Sequence, residues 1–224
     1  MKNALAYLSA LKENNNRDWY HANKDWYQKA NMEFEELVGE LMTAIAVFDP
    51  KVMRFAPHDL IFKLQRDTRF SHDKAPYNPK FRAHISIGGK LPIPCGYYLV
   101  IAQDDQSFLG GGLFASMFSG ATTRIRDYLV SHDEAFLSII TEPYFKSHFK
   151  IEGEILKTVP RGYDKEHPQA EYLKYKSWYL QNFLTDDQVS DCNFTEEAAI
   201  LFQGMKPFND YLNQALQGFQ MPSH

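Results

Sequence analysis

The sequence is poor in the residues from which covalent and metal chemistry is most readily built. It has 2 cysteines, Cys95 and Cys192, far apart and in no metal-binding or redox spacing. No disulfide framework or zinc cluster is expected, and a reduced, cytoplasmic compartment fits best. The 8 histidines show no HxH or HExxH spacing, so no metal is expected. There is no G-x-S-x-G elbow, and neither cysteine has a neighbourhood that suggests a nucleophile. Gly110-Gly111-Gly112 is not followed by Gly-Lys-Ser/Thr, which excludes a Walker phosphate loop, and its spacing is not the dinucleotide fingerprint. No cofactor is expected. No apolar run approaches the ~20 residues of a membrane span. The N-terminal MKNALAYLSALKENNNRDW lacks both a long apolar stretch and a small-residue cleavage site, so no signal peptide is expected. Internal repeats and low-complexity linkers are absent as well.

What is present is a core. Hydrophobic residues make up 44% of 224, and aromatics 15%. That supports one globular domain over 1–224, with flat rings supplying much of the packing. The net charge is −4, which argues against a general nucleic-acid binder. Its distribution is uneven. Residues 54–84 hold seven basic side chains (Arg54, Lys63, Arg66, Arg69, Lys74, Lys80 and Arg82) against Asp59, Asp67 and Asp73. A basic island on an acidic protein concentrates a small anion without coating the surface in positive charge.

Hydrophobic periodicity gives the fold class. Residues 3–13 read as a helix with Leu5, Leu8 and Leu11 on one side, ended by Asn14-Asn15-Asn16. Residues 17–48 read as a second helical region with a break near Asn23; Phe34, Leu37, Val38, Leu41, Ile45 and Phe48 form its buried stripe. Trp19-Tyr20 and Trp26-Tyr27 stand seven apart, a spacing suited to packing on a sheet or to stacking on a ligand ring. Strands are expected over 61–66, 81–87, 96–102 and 107–113, linked mostly by short turns into an antiparallel meander. In 81–87 the alternation sets Phe81, Ala83, Ile85 and Ile87 on one face and Arg82, His84 and Ser86 on the other. Helices are expected over 119–131 and 132–140, a short strand pair over 149–158, a helix over 169–176 and a last strand over 177–183. A C-terminal helix over 195–217 should kink or split at Pro207. The expected architecture is α+β: a mainly antiparallel sheet of about 4–6 strands packed with N-terminal and C-terminal helices.

Three constellations carry candidate chemistry. The first is Arg66-Asp67-Thr68-Arg69 with Asp73-Lys74, Tyr77 and Arg82. Arginine presents a planar fork of donors suited to carboxylate or phosphate. Arg66, Arg69, Lys74, Tyr77 and Arg82 are candidate ligand-binding residues, and Asp67 and His84 candidate acid–base groups. The competing reading is an Arg–Asp network that only pins the loop. The second is the proline-bounded loop PRGYDKEHP, 160–168, with Arg161 as the candidate on a second wall; a solvated turn is the alternative. The third is Gly110-Gly111-Gly112, where exposed amides hold an anion or another chain segment crosses closely.

Several stretches together resemble one family. ENNNRDWYHANKDWY at 13–27, RDTRFSHDKAPY at 66–77, GYYLVI at 96–101, FLGGGLF at 108–114 and LKTVPRGYDKEHP at 156–168 are similar, in order, to the family catalogued as domain of unknown function 2461. The resemblance implies a soluble, single-domain, mixed α and β protein and implies no activity. The sequence departs from that pattern at His72 and Asn78, where lysine is common, and at Phe114, where tryptophan is common. Arg66, Asp67, Arg69, Asp73, Lys74 and Tyr77 are retained.

Three functions follow from the residues. The first is a protein or enzyme acting on a small anionic ligand such as a phosphate ester or nucleotide. The second is a nucleic-acid-associated module that adds stacking by Trp19, Trp26 or Tyr77, disfavoured by the net charge. The third is a structural or interaction protein whose charges hold the fold. Reaction, pathway and oligomeric state do not follow from the sequence.

Overall fold

The computed structural model describes residues 1–69, 71–114 and 118–221. In chain order, its helices are α1 (Lys2–Glu13), α2 (Arg17–Ala22), α3 (Lys24–Ala46), α4 (Pro57–Leu60), α5 (Ser119–Ser131), α6 (Asp133–Thr141), α7 (Pro143–His148), α8 (Ala170–Leu173), α9 (Asp186–Val189) and α10 (Phe194–Ala215). A 3-10 turn covers Pro50–Arg54. The strands β1 (Phe81–Ile85), β2 (Gly96–Ile101), β3 (Ser107–Leu113), β4 (Ile151–Glu152) and β5 (Trp178–Leu184) form an antiparallel sheet in the order β1-β2-β3-β5-β4. The α+β class is the one the periodicities indicate. No helix among the described residues is long and apolar enough to cross a membrane.

Two compact units are present. The first comprises Met1–Lys90, Tyr98–Leu109 and Phe183–Ile200; the second comprises Leu91–Tyr97, Gly110–Asn182 and Leu201–His224.

In the first unit, α1 and α3 pack together through Leu5, Leu8 and Leu11 on one side and Phe34, Leu37, Val38 and Leu41 on the other, all buried. Helix α1 has no side-chain cap of its own, and Glu33 of α3 supplies one by accepting from the Ala4 amide at 2.7 Å. Asn16 caps α2 through the Trp19 amide at 2.9 Å, and the chain breaks at Asn23 before α3 begins. Phe81, Ala83 and Ile85 of β1 are fully buried, and Phe34 stacks on Phe81 with ring centroids 5.2 Å apart. The turn after β2 carries Asp104 and Asp105 at φ 63° and 57°, left-handed geometry that aspartate tolerates better than most residues. Their amides both donate to the Asp186 carboxylate, at 3.2 Å each.

The second unit is built on the C-terminal part of α10, where Phe202, Met205, Phe208 and Leu212 are fully buried. Two asparagines one turn apart do the polar work. Asn209 accepts from the Gly112 amide at 2.6 Å and donates to the Gly96 carbonyl at 3.0 Å. Asn213 accepts from the Cys95 amide at 2.7 Å and donates back to its carbonyl at 3.0 Å. Gly112 sits at φ +89°, and a Cβ there would lie 2.4 Å from the Trp178 carbonyl oxygen. The triple glycine is thus a close chain crossing, with its last amide already bonded.

Several elements differ from their sequence signals. Residues 61–66 form isolated bridges, Ile61↔Ala83 and Gln65↔Tyr77, rather than a strand. The opposing segment contains Pro76 and Pro79, which have no N–H to give a ladder. In place of the strand pair expected within 149–158, Ile151 and Glu152 pair with Leu180 and Tyr179 of β5 and Ile155 bridges Tyr175, on either side of Gly153, where a Cβ would lie 2.0 Å from the Ser177 carbonyl oxygen. The helix over 169–176 is only Ala170–Leu173. Helix α10 runs unbroken through Pro207. Arg126, expected on the flank of α5, is buried.

Replacing Asn209 by Leu leaves the Gly112 amide and the Gly96 carbonyl buried and unbonded. Thermal denaturation should show a loss of about 2–3 kcal/mol, a fall in Tm on the order of 5–10 °C. An unchanged Tm contradicts the role given to this amide.

Candidate functional site

The basic island is an arm whose root is held by one amide. Asn15 donates to the Tyr77 carbonyl at 2.9 Å and accepts from the Tyr77 amide at 3.1 Å, as a neighbouring strand would. The Tyr77 ring, 5% exposed, stacks on Tyr20 at 4.2 Å and 15°. Outward from there the two limbs are tied by Asn78 N to Leu64 O at 2.8 Å and Arg66 N to Pro76 O at 2.9 Å.

Beyond the limbs, the loop is closed by its own charges. Arg66 pairs with Asp73 and also reaches the Ala75 carbonyl at 3.3 Å and the Ser71 hydroxyl at 3.4 Å. Asp73 turns back to accept from the Ala75 amide at 2.9 Å. That amide, followed by Arg66, holds the Asp73 carboxyl below the usual carboxylate range. Arg69 grips Asp67 with Nε at 3.0 Å and Nη2 at 2.6 Å, a bidentate pair that lowers the Asp67 pKa in the same way. Lys74 Nζ donates to the Thr68 carbonyl at 3.0 Å, which places its ammonium beside the residue preceding Arg69. Arg66 is therefore a three-point staple. Arg69, 77% exposed at its side chain, stands in solvent on a partner that is itself exposed.

Arg82 and His84 lie on β1, on the face opposite Phe81, Ala83 and Ile85. The Arg82 guanidinium sits over the Phe62 ring, 5.3 Å from its centroid, and burial lowers its pKa. His84 is fully buried and stacks on Tyr98 at 4.0 Å and 7°. Asp67 as found is an ionised carboxylate in an arginine's grip, an arrangement suited to orienting Arg69. Arg161 belongs to the second unit and is exposed in the 160–168 loop. Among the described residues there is no group of three or more His, Cys, Asp or Glu side chains able to hold a metal ion. Cys95 is buried, which pushes its thiol up to about 12, far from a reactive thiolate.

The paired aromatics serve burial. Tyr7, fully enclosed, is surrounded by Trp19, Trp26 and Tyr27 with centroids 5.6–5.9 Å away, and Tyr20 and Tyr27 meet at 5.3 Å. The Tyr7 hydroxyl has no hydrogen-bond partner among the described residues, and burial raises its pKa. The seven-residue spacing disclosed this cluster. The clamps made by Asn15, Asn209 and Asn213 were not disclosed, because an amide that bonds remote backbone leaves no spacing of its own.

The family described as "Conserved hypothetical protein (DUF2461)" matches residues 3–211. Among curated proteins and among solved structures, no relative matches.

The division of labour within the arm is measurable. Arg66→Ala should lower Tm and speed proteolysis within 67–74 several-fold, while Arg69→Ala should leave both nearly unchanged, since exposed pairs contribute little. Equal behaviour of the two variants contradicts it. Tyr7→Phe should raise stability by roughly 1 kcal/mol, because it removes a buried, unbonded hydroxyl; a clear fall in Tm means that the hydroxyl is bonded in solution.

Proposed function

The chain belongs to the family of conserved hypothetical proteins DUF2461, whose description names no activity, and we propose from its geometry that it binds a small oxyanion, a phosphate ester or nucleotide, on the arm at 61–84. One observation carries the reading. The three acids of residues 54–84 are engaged, Asp67 by Arg69, Asp73 by Arg66 and Asp59 near His58. Arg54, Lys63, Lys74, Lys80 and Arg82 are left with no carboxylate within 4.0 Å among the described residues. A surplus of cations gathered on one arm of an acidic chain attracts anions.

Within the site, Arg69 and Lys74 make the ligand contacts, Asp67 orients Arg69, and Arg66 keeps the loop in shape. An exposed ion pair is weak in water, so an incoming phosphate displaces Asp67 from Arg69 at little cost. Tyr77 fixes the arm's root, and Arg82 adds charge from β1. His84 is the candidate proton carrier should the bound ester react. Arg161 belongs to the other unit. The purely structural reading accounts for Arg66 and Asp73, which pair with each other within the loop; it leaves unexplained the surplus of cations that no carboxylate of the described residues neutralises.

A thermal-shift screen with nucleotides, sugar phosphates and carboxylates tests the proposal. The expected result is a rise in Tm with at least one phosphate ester, and an apparent Kd at least tenfold weaker in Arg69→Ala and Lys74→Ala at unchanged basal Tm. No stabilisation by any compound, or stabilisation of both variants equal to that of the unsubstituted protein, sinks it.

A further inference from the structure

Arg126, on α5 in the second unit, is 8% exposed. Its Nε donates to the Leu173 carbonyl at 2.8 Å and its Nη2 to the Tyr175 carbonyl at 2.7 Å. Its guanidinium carbon lies 6.0 Å from the Trp178 ring centroid. These contacts satisfy donors without neutralising charge. Among the described residues no carboxylate lies within 4.0 Å of the guanidinium, and its Nη1 donates to none of them. Removing an arginine from water without a counter-ion is costly, and buried arginines are ordinarily paired with an acid. Here none of the described residues supplies that acid.

The adjacent acid is committed elsewhere. Asp127 accepts from the Tyr163 hydroxyl at 2.8 Å. That bond and burial, burial foremost, push the Tyr163 phenol up to about 12, so it stays a neutral donor at physiological pH. Tyr163 is also close enough to Arg126 for the two to interact electrostatically. The bond to Asp127 ties the 160–168 loop to α5 beside Arg126. The loop itself is a run of tight turns: Tyr163 N reaches the Pro160 carbonyl at 3.4 Å, Glu166 N the Asp164 carboxylate at 3.0 Å, and Ala170 N the His167 carbonyl at 2.9 Å. Arg161 is exposed on the first of these turns, and no atom comes within 4 Å of where a side chain on Gly162 would begin. The turn therefore offers open space next to an arginine, two residues from the tyrosine that approaches a second, buried one.

We propose that Arg126 and Arg161, with Tyr163 positioning the loop between them, bind a small oxyanion of the phosphate or carboxylate type that supplies the counter-charge Arg126 lacks. Arg126 gives one preorganised donor edge and the exposed Arg161 a second contact, so the group recognised is a terminal oxyanion. None of its residues belong to the arm at 61–84.

The test is made in an Arg69→Ala background, which removes one of the arm's two ligand contacts and weakens that site at least tenfold, so that phosphate bound at Arg126 and Arg161 is read apart from it. Inorganic phosphate, titrated against chloride at constant ionic strength, should raise Tm in Arg69→Ala. In Arg69→Ala/Arg161→Ala the apparent Kd should weaken at least tenfold, and Arg69→Ala/Arg126→Gln should behave the same way. If Arg126→Gln does not fold, Arg161→Ala and Tyr163→Phe decide the matter, because both alter exposed or half-exposed side chains. No phosphate-specific rise in Arg69→Ala overturns the proposal, and so does a rise that Arg161→Ala leaves intact. Neither outcome bears on the arm, whose own test is the loss of ligand on Arg69→Ala itself.

Discussion

The side chain of Asn209 joins two strands from outside the sheet. Its carbonyl takes the Gly112 amide of β3 and its amino group gives to the Gly96 carbonyl of β2, all within a buried shell. The position of α10 in the second unit follows from that pair of bonds. Apolar packing by Phe202, Met205 and Phe208 would tolerate sliding along the helix axis, whereas two directional bonds at 2.6 and 3.0 Å would not. Asn213, one turn further on, fixes the same register against Cys95. Gly112 completes the constraint, because at its left-handed φ and with the Trp178 carbonyl so close no larger residue fits.

An asparagine does comparable work in the first unit. Asn15 meets both backbone groups of Tyr77 and so presents the arm to solvent from a rigid base. The charged loop beyond is then free to specialise. Its carboxylates are engaged within the island, the half-buried Arg66 is taken up by its bonds within the loop, and Arg69 and Lys74 remain outermost. Local self-pairing holds the loop's shape without neutralising its surplus charge, which is the condition an anion site requires.

The legible parts of this fold are those where one element repeats its own period. The alternation in Phe81–Ile85, the stripe of α3 and the apolar face of α10 could be read directly, and so could the seven-residue pairing of Trp19 with Trp26. Failures came where a partner segment decided. Residues 61–66 have strand-like residues, but Pro76 and Pro79 opposite them cannot complete a ladder. The strand over 151–155 is interrupted at Gly153, where the Ser177 backbone approaches too closely for a side chain, and beyond it only the bridge Ile155↔Tyr175 remains. Arg126 looked like a surface charge flanking α5 because its carbonyl partners lie 47 and 49 positions away. The candidate site divides along the same line: its residue types were visible as a basic island, but which arginine staples and which faces solvent depended on short-range pairings the composition does not encode.

The two compact units are interleaved along the chain. The path passes from one to the other inside β2, between Tyr97 and Tyr98, inside β3 after Leu109, inside β5 after Asn182 and inside α10 after Ile200. A fifth passage, from Lys90 to Leu91, lies in the turn segment between β1 and β2; the other four fall within regular hydrogen-bonded elements. Neither unit is therefore available as a contiguous fragment: every truncation that keeps one of them also severs a strand or a helix. Shuffling of gene segments, which works by moving whole stretches of chain, has no cut point here at which one unit could be exchanged and the other retained.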